Sequence, residues 1–429
     1  MPSMGGRAAQ IGAVIATGLL MTLAFPLQFW SLEVPSAWQG YTAWIAFAPL
    51  ILVAEGRAPA RVALLFWGAA WIYFTGTIFW VVVAMTEYGH VPFAASLLAL
   101  FLLSAILSLF HAAAGYMASR IQHRWSLSLV WPAALAMTSL EYLRNYVFTG
   151  FPWSNPAYSQ ARFLTLIQIA DVTGIYGITF LIVLTGGALA GVLAGLRAHV
   201  RGAWHHLAIA GALLSAVWLY GSWRIPQVLE AEVHGKPLRV GLLQGNIPQD
   251  EKWLESEAGR ILTIYAEQVH LAQAKGAELI VWPEASIPDL LSADLTQMIP
   301  EAFPPEGPRV PQVIGAPVYE PPENAEDPLV LHNSAFVVDG TGRVMARYDK
   351  SHLVPFGEYV PLRAIFRFLG PLVQAVGEFV PGTEVRPVSD GRHQYGVLVC
   401  YEDIFPEISR KMGQRGMELL INVTNDAWY

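Results

Sequence analysis

The chain shows two regimes of hydrophobic patterning. As far as Trp223 it is built of long apolar runs broken by short polar loops, and from Pro237 onward short alternating runs take over. A helix needs roughly 20 apolar residues to cross a hydrocarbon core about 30 Å thick. Seven stretches approach that length and predict membrane spans: residues 11–29, 38–54, 62–85, 91–118, 127–143, 163–196 and 204–223. The first has a weakly basic flank and no small-residue cleavage site after it, so it reads as a span rather than a signal peptide. Arg7, Arg57, Arg61, Arg120, Arg124, Arg197 and Arg201 fall in loops on one side, and only Arg144 and Arg162 on the other. The positive-inside rule then predicts a cytoplasmic N-terminus, and seven crossings carry the second region to the outer, periplasmic side. The sixth stretch is long and interrupted by Asp171, Gly174 and Gly177. Two crossings there would reverse the outcome, but the arginine loops favour one.

The outer loop 145–160 (NYVFTGFPWSNPAYSQ) is aromatic and proline-containing. It suits either an interfacial belt or a re-entrant loop lining a lipid-binding cleft. Glu141 and Asp171 flank it at membrane depth. An acid in that position is a functional candidate by default, with a capping or snorkelling role as the alternative.

In the second regime, a short polar linker at 224–236 leads into alternating elements. Residues 238–247 predict a strand, 256–275 a helix closed by Gly276, and 278–286 a buried strand entering a proline-containing turn. Residues 301–328 read as a loop, and 332–350 as a β-hairpin about 339–342. Residues 393–412 predict a strand running into a helix, and 417–426 a further strand. Alternation of this kind implies a layered α/β domain.

Composition sharpens the division. Charged residues make up 14% of the chain, against about 25% in soluble domains, and mean hydropathy is +0.41. Many of the 15 tryptophans stand at the ends of apolar runs, as interfacial anchors do. A net charge of −7 argues against a nucleic-acid partner. With a single cysteine, no disulfide can form within the chain. Paired Cys/His spacing and a phosphate-binding Gly-Lys-Ser/Thr loop are both missing from the sequence, so no metal or nucleotide cofactor is expected.

Three polar residues close predicted strands. Glu284 follows LIVWP, Lys350 follows RVMARYD, and Cys400 follows YGVLV at the head of a predicted helix. A helix N-terminus and a nearby lysine would both lower the thiol pKa. A carboxylate can take the thiol proton as general base, and an ammonium can stabilise an oxyanion. Together they suit acyl transfer through a thioester. Residue type alone leaves other readings open: an inert buried thiol for Cys400, a turn or cap residue for Glu284, a solvated surface group for Lys350.

LIVWPEAS (279–286), YDKSHLVPFGEYVP (348–361) and VLVCYEDIFPE (397–407) resemble, in order, the Glu, Lys and Cys motifs of the nitrilase superfamily. With seven preceding spans, HLVPFGEYVP, LLQGNIPQDEKW (242–253), HNS (332–334) and NVTNDAWY (422–429), the chain resembles the membrane branch, the apolipoprotein N-acyltransferases. The resemblance implies a bacterial inner-membrane enzyme with its catalytic domain outside. Such an enzyme takes an acyl chain from a phospholipid onto the cysteine, then passes it to the α-amino group of a lipoprotein's diacylglyceryl-cysteine. It implies Cys400 as nucleophile, Glu284 as general base and Lys350 as oxyanion partner, without a cofactor. Glu358 and Glu402 match further acidic positions expected to orient the triad. Trp253 and Tyr401 match aromatic positions expected near substrate, and Asn333 and Asn425 are weaker candidates, each able instead to satisfy loop backbone.

The expected fold is a multi-span α-helical membrane domain (1–223), the linker, and a nitrilase-like α-β-β-α sandwich domain (237–429). The resemblance also implies a further stretch beyond Tyr429 that completes the sandwich and adds a final span, which makes 237–429 a C-terminally incomplete domain of lowered stability or activity. Residues 360–380 are apolar enough to act as a lipid-facing lid that excludes water, or to pack beneath a loop. Two competing functions use the same residues: a membrane-tethered amidase of nitrilase type, and a non-catalytic lipid- or lipoprotein-binding relative. The PFGEYVP motif together with seven spans speaks against the first, and the retained Glu, Lys and Cys against the second.

Overall fold

A computed structural model describes residues 6–26, 28–29, 32–33, 39–198, 204–298, 310–322, 329–355, 357–359 and 379–426. The chain forms two compact units, Met1–Gly235 and Lys236–Tyr429.

The first unit is helical: α1 (Arg7–Thr22), α2 (Ala43–Ala54), α3 (Pro59–Thr77), α4 (Phe93–Trp125), α5 (Val130–Leu143), α6 (Ala170–Ala198) and α7 (His205–His234). Among the described residues, three helical stretches are long and apolar enough to cross a membrane: Phe93–Trp125, Ala170–Leu196 and His205–His234. A fourth arises if α3 and the segment Trp80–Tyr88, bent against it by 51°, count as one span. Among the described residues, the runs expected at 11–29, 38–54 and 127–143 carry the shorter helices α1, α2 and α5 instead of full-length spans. The run 163–196 is not one straight helix, because at Gly174 the backbone turns to φ 59°.

The stretch expected as a linker is helical to His234, inside α7. Gln, Leu, Glu and Ala after Pro226 are good helix formers, and the next helix breaker is Gly235. Polarity alone misread this stretch as irregular.

Helix α4 shows what solvates this unit. Leu98, Leu102, Ile106 and Leu109 point outward, whereas Ser96, Ser104, Ser108, His111 and Gly115 are buried. Leu100 and Leu107 are buried beside them, so the helix is apolar all round, and large apolar groups outside with small or hydrogen-bonded groups between helices is the arrangement lipid favours. Close helix approach depends on those small residues. A Cβ on Gly18 of α1 would lie 2.6 Å from Ile72 Cβ and 2.8 Å from Ala69 O of α3.

Glu141 is the hub of a buried polar network. It pairs with His111 at 2.8 Å and Arg144 at 2.5 Å, and accepts from Asn155 Nδ2 at 3.1 Å. Arg144 in turn donates to the carbonyls of Phe151 and Trp153, which ties the aromatic loop to the helices. Asp171 is placed differently, in a partly exposed pair with Arg224 at 2.8 Å that also accepts from Tyr220 Oη.

The second unit contains β1 (Val240–Leu242), α8 (Glu255–Ala274), β2 (Leu279–Val281), β3 (Gln312–Glu320), β4 (Val330–Val338), β5 (Val344–Asp349), β6 (Val388–Ser389), β7 (Gln394–Val399), α9 (Pro406–Gln414) and β8 (Leu419–Val423). One sheet runs β1-β2-β3-β4-β5, with Leu291–Ser292 also paired to β3. Its first three strands are parallel, and β3-β4-β5 are antiparallel. A second sheet runs β8-β7-β6. Helix α8 packs through Ile261, Tyr265 and Val269, a spacing of four that makes one apolar stripe. Tyr265 stacks on Trp282 at 5.0 Å. The β4–β5 hairpin turns where alternation predicts it, with Asp339 Oδ1 accepting from Thr341 N and Arg343 N.

Candidate active site

Strand register assembles the site. Parallel pairing of Val399 with Val423 sets Cys400 beside Thr424, and the neighbouring Asn425 N donates to Glu284 Oε2 at 3.1 Å. On the other sheet, pairing of Ser334 with Asp349 sets Asn333 beside Lys350, whose N–H donates to Asn333 O at 2.8 Å.

Glu284 follows β2 in a turn pinned to β3. Ser286 donates to Gly315 O through both its N–H (2.8 Å) and its Oγ (2.9 Å). A Cβ at position 315 would lie 2.3 Å from Pro283 O and 2.8 Å from Glu284 Cα, so only glycine lets the turn sit this close to β3. Gly315→Ala should therefore displace the Glu284 carboxylate. The expected effect is a loss of about 10²-fold in the reactivity of Cys400, the cost typical of a 1 Å misplacement. Adduct formation followed by mass spectrometry, with melting curves as the fold control, checks this.

Four polar groups interlock within the unit. Lys350 Nζ lies 3.0 Å from Glu358 Oε1 and 3.6 Å from Glu284 Oε1. Asn333 Nδ2 donates to the same two oxygens, at 2.8 and 2.7 Å. Glu358 Oε2 accepts from Val354 N at 2.8 Å. Lys350 is 1% exposed. Burial by itself would push its ammonium down, but Glu358 and Glu284 outweigh burial and hold it above the ordinary lysine value. The two carboxylates beside it favour its charged form.

Cys400 ends β7, partly exposed, with φ 52°. It does not head an α-helix. A short 3₁₀ turn, Cys400–Ile404, follows it, and α9 starts only at Pro406. Burial pushes the thiol up, the Glu284 carboxylate adds to that, and Lys350 and a hydrogen bond with Thr424 only partly oppose it, leaving a value of about 12. The helix expected to lower the thiol pKa is not the one the chain forms at Cys400, and burial acts in the opposite direction, raising it. Burial thus favours the protonated thiol at neutral pH.

Glu402 is fully buried and joins the two strand ends. Its Oε1 accepts from Tyr348 Oη (2.9 Å), Ser351 N (2.8 Å), Ser351 Oγ (2.7 Å) and His352 N (3.1 Å), and its Oε2 from Val399 N (2.9 Å). Tyr401 is buried in an aromatic cluster, 4.9 Å from Phe405 and 5.7 Å from His352. Trp253 is 44% exposed, with Lys252 Nζ 5.7 Å from its ring centre. Asn425 Nδ2 donates to Gln249 Oε1 at 2.9 Å. The lid expected at 360–380 lies outside the described residues except for its last two. Sequence reasoning missed Tyr348, Ser351 and Lys252, whose roles depend on burial that no local pattern signals.

Comparison with known proteins follows this architecture. Residues 17–188 match the model of the apolipoprotein N-acyltransferase N-terminal domain, and residues 309–429 match the carbon-nitrogen hydrolase model. The apolipoprotein N-acyltransferase of Geobacter metallireducens is 35% identical over 97% of this chain and 77% of its own length. Those of Nitrosomonas europaea (34%, covering 88% and 73%) and Methylococcus capsulatus (33%, covering 96% and 77%) are close behind. An apolar helical unit followed by a nitrilase-like unit, matched along nearly its whole length by such relatives, makes this chain a membrane-bound enzyme of the apolipoprotein N-acyltransferase family.

Proposed function

We propose that this enzyme N-acylates the N-terminal diacylglyceryl-cysteine of apolipoproteins, the last step of bacterial lipoprotein maturation, with a membrane phospholipid as donor and Cys400 as the acyl carrier. The observation that carries this reading is the lone thiol at the end of β7, electrostatically coupled to a carboxylate–ammonium–carboxylate cluster. Glu284 removes the thiol proton as sulfur attacks the ester carbonyl. Lys350, favoured as a cation by its two carboxylates, stabilises the oxyanion. Collapse breaks the ester C–O bond, Glu284 returns the proton to the leaving oxygen, and lysophospholipid departs. The acceptor amine then attacks the thioester, and the amide and free thiol result. Glu358 and Asn333 keep Lys350 and Glu284 in register, and Glu402 fixes the strand ends. Trp253, exposed beside the site loop, is suited to contact an acyl chain or substrate.

The arginine-bearing loops support a cytoplasmic N-terminus, and an odd number of crossings then puts the catalytic unit at the periplasmic face of the inner membrane. The two sheets of the second unit are the two layers of an α-β-β-α sandwich in this reading. Intact mass spectrometry after incubation with phospholipid tests the carrier role. The chain should gain one fatty-acyl mass that hydroxylamine removes, and Cys400→Ser should yield no hydroxylamine-labile thioester. An unmodified wild-type chain would refute the reading.

A further inference from the structure

Lys252 lies in the polar run PQDEKW ahead of α8, where a lysine is expected at the surface, yet it is only 6% exposed. Its Nζ donates to the main-chain oxygen of Glu284 at 3.2 Å and sits over Trp253. Among the described residues it forms no ion pair, whereas Lys350 lies beside two carboxylates. The titratable groups that face it are Glu284, from the turn after β2, and Cys400, from the end of β7. Lys350 is the neighbouring cation across Glu284. In its own loop, Glu251 is engaged by Arg260, and Asp250 stands on the same loop. The site thus holds two buried lysines of opposite character. One is favoured as a cation. Burial pushes the other down to about 8, and Glu284 and Cys400 offset this only in part.

The reaction needs such a group. An α-ammonium must become an amide, so each turnover releases one proton from the acceptor before its nitrogen can attack. Lys350 has no vacancy for that proton, and Glu284 handles the proton of sulfur. We propose that Lys252 is the catalytic base of the second half-reaction, taking the first proton from the acceptor's α-ammonium. This rests on Cys400 being the acyl carrier. The freed amine attacks the thioester carbonyl, forming the C–N bond. Glu284 takes the second nitrogen proton and gives it to sulfur as the C–S bond breaks. Lys252 then releases its proton to water.

The test uses the detergent-purified chain, acylated on Cys400 and then mixed with either of two nucleophiles. One is a synthetic diacylglyceryl-cysteine peptide, whose α-amine is largely protonated at pH 7. The other is hydroxylamine, already neutral there. Lys252→Met and Lys252→Arg should each slow transfer to the peptide by about 10²-fold. They should slow hydroxylamine cleavage by no more than about threefold. Lys252→Arg retains the charge and a donor for Glu284 O, so a loss in that variant is not a folding effect. Equal losses with both nucleophiles, or no loss with the peptide, overturn the assignment. A wild-type chain that forms no labile adduct instead sinks the carrier reading, and this proposal with it.

Discussion

Glu284→Gln should lower the rate of Cys400 acylation at pH 7 by about 10³-fold or more, with partial recovery as pH rises. The thiol stands near 12 because burial and the Glu284 carboxylate both disfavour thiolate. Without a base, sulfur must ionise unaided, and the rate should then climb about tenfold per pH unit while thiolate remains scarce. Removing the Glu284 charge also eases ionisation somewhat, which adds to the recovery at high pH. Glutamine keeps the shape of the side chain and an acceptor for Asn333, and gives up the acceptor for Asn425 N, so melting curves serve as the fold control. Single-turnover adduct formation between pH 6 and 10 measures the effect. A variant that acylates at the wild-type rate at pH 7 would remove Glu284 from the role of base. A uniform loss with unchanged pH dependence would assign it to positioning only.

The second large effect is structural. Glu402→Ala should leave the second unit unable to unfold cooperatively above room temperature, or lower its melting temperature by more than 10 °C. Five donors converge on that carboxylate, from Tyr348, Ser351 twice, His352 and Val399. Each buried donor left unmatched costs about 1–3 kcal/mol. Even with water or rearrangement satisfying some of them, the total approaches the 5–15 kcal/mol that stabilises a domain. Ser351 adjoins Lys350, and Val399 adjoins Cys400, so activity should fall as well. Glu402→Gln keeps one acceptor oxygen and should lie between the two. Thermal unfolding read from the tryptophan fluorescence of detergent-purified variants checks this. An Ala variant that melts within 2 °C of wild type would mean that Glu402 does not join the strand ends.

What was legible in the sequence was the part written locally. Glu284, Lys350 and Cys400 each close a run of alternating or continuous apolar residues, and strand ends are where the chain leaves a sheet with a side chain free for chemistry. The β4–β5 turn was legible too, from its Asp and Gly. What was not legible depends on partners distant in sequence. Asn333 had a bland reading as a loop residue, because nothing near it says that two carboxylates, 49 and 25 residues away, share its amide. Lys252 sits among Gln, Asp and Glu and has the local signature of an exposed residue. Glu141 was recognisable as an intramembrane acid, but its partner His111 lies 30 residues away on α4. The helix expected at Cys400 was a misreading of a signal that was present. Proline is favoured in the first turn of a helix, and Pro406 marks where α9 starts.

The make-up of helix α4 has a consequence for how this half of the chain tolerates change. In a water-soluble domain, polarity polices the surface and volume polices the core. Here lipid accepts any bulky apolar side chain at Leu98, Leu102, Ile106 or Leu109, so those positions are free to drift among Leu, Ile, Val, Phe and Met. Ser96, Ser104, Ser108 and Gly115 answer to size instead, and a larger residue there would wedge neighbouring helices apart however apolar it is. Hydrophobicity is thus a poor guide to which substitutions the membrane unit will bear, and side-chain volume is the better one.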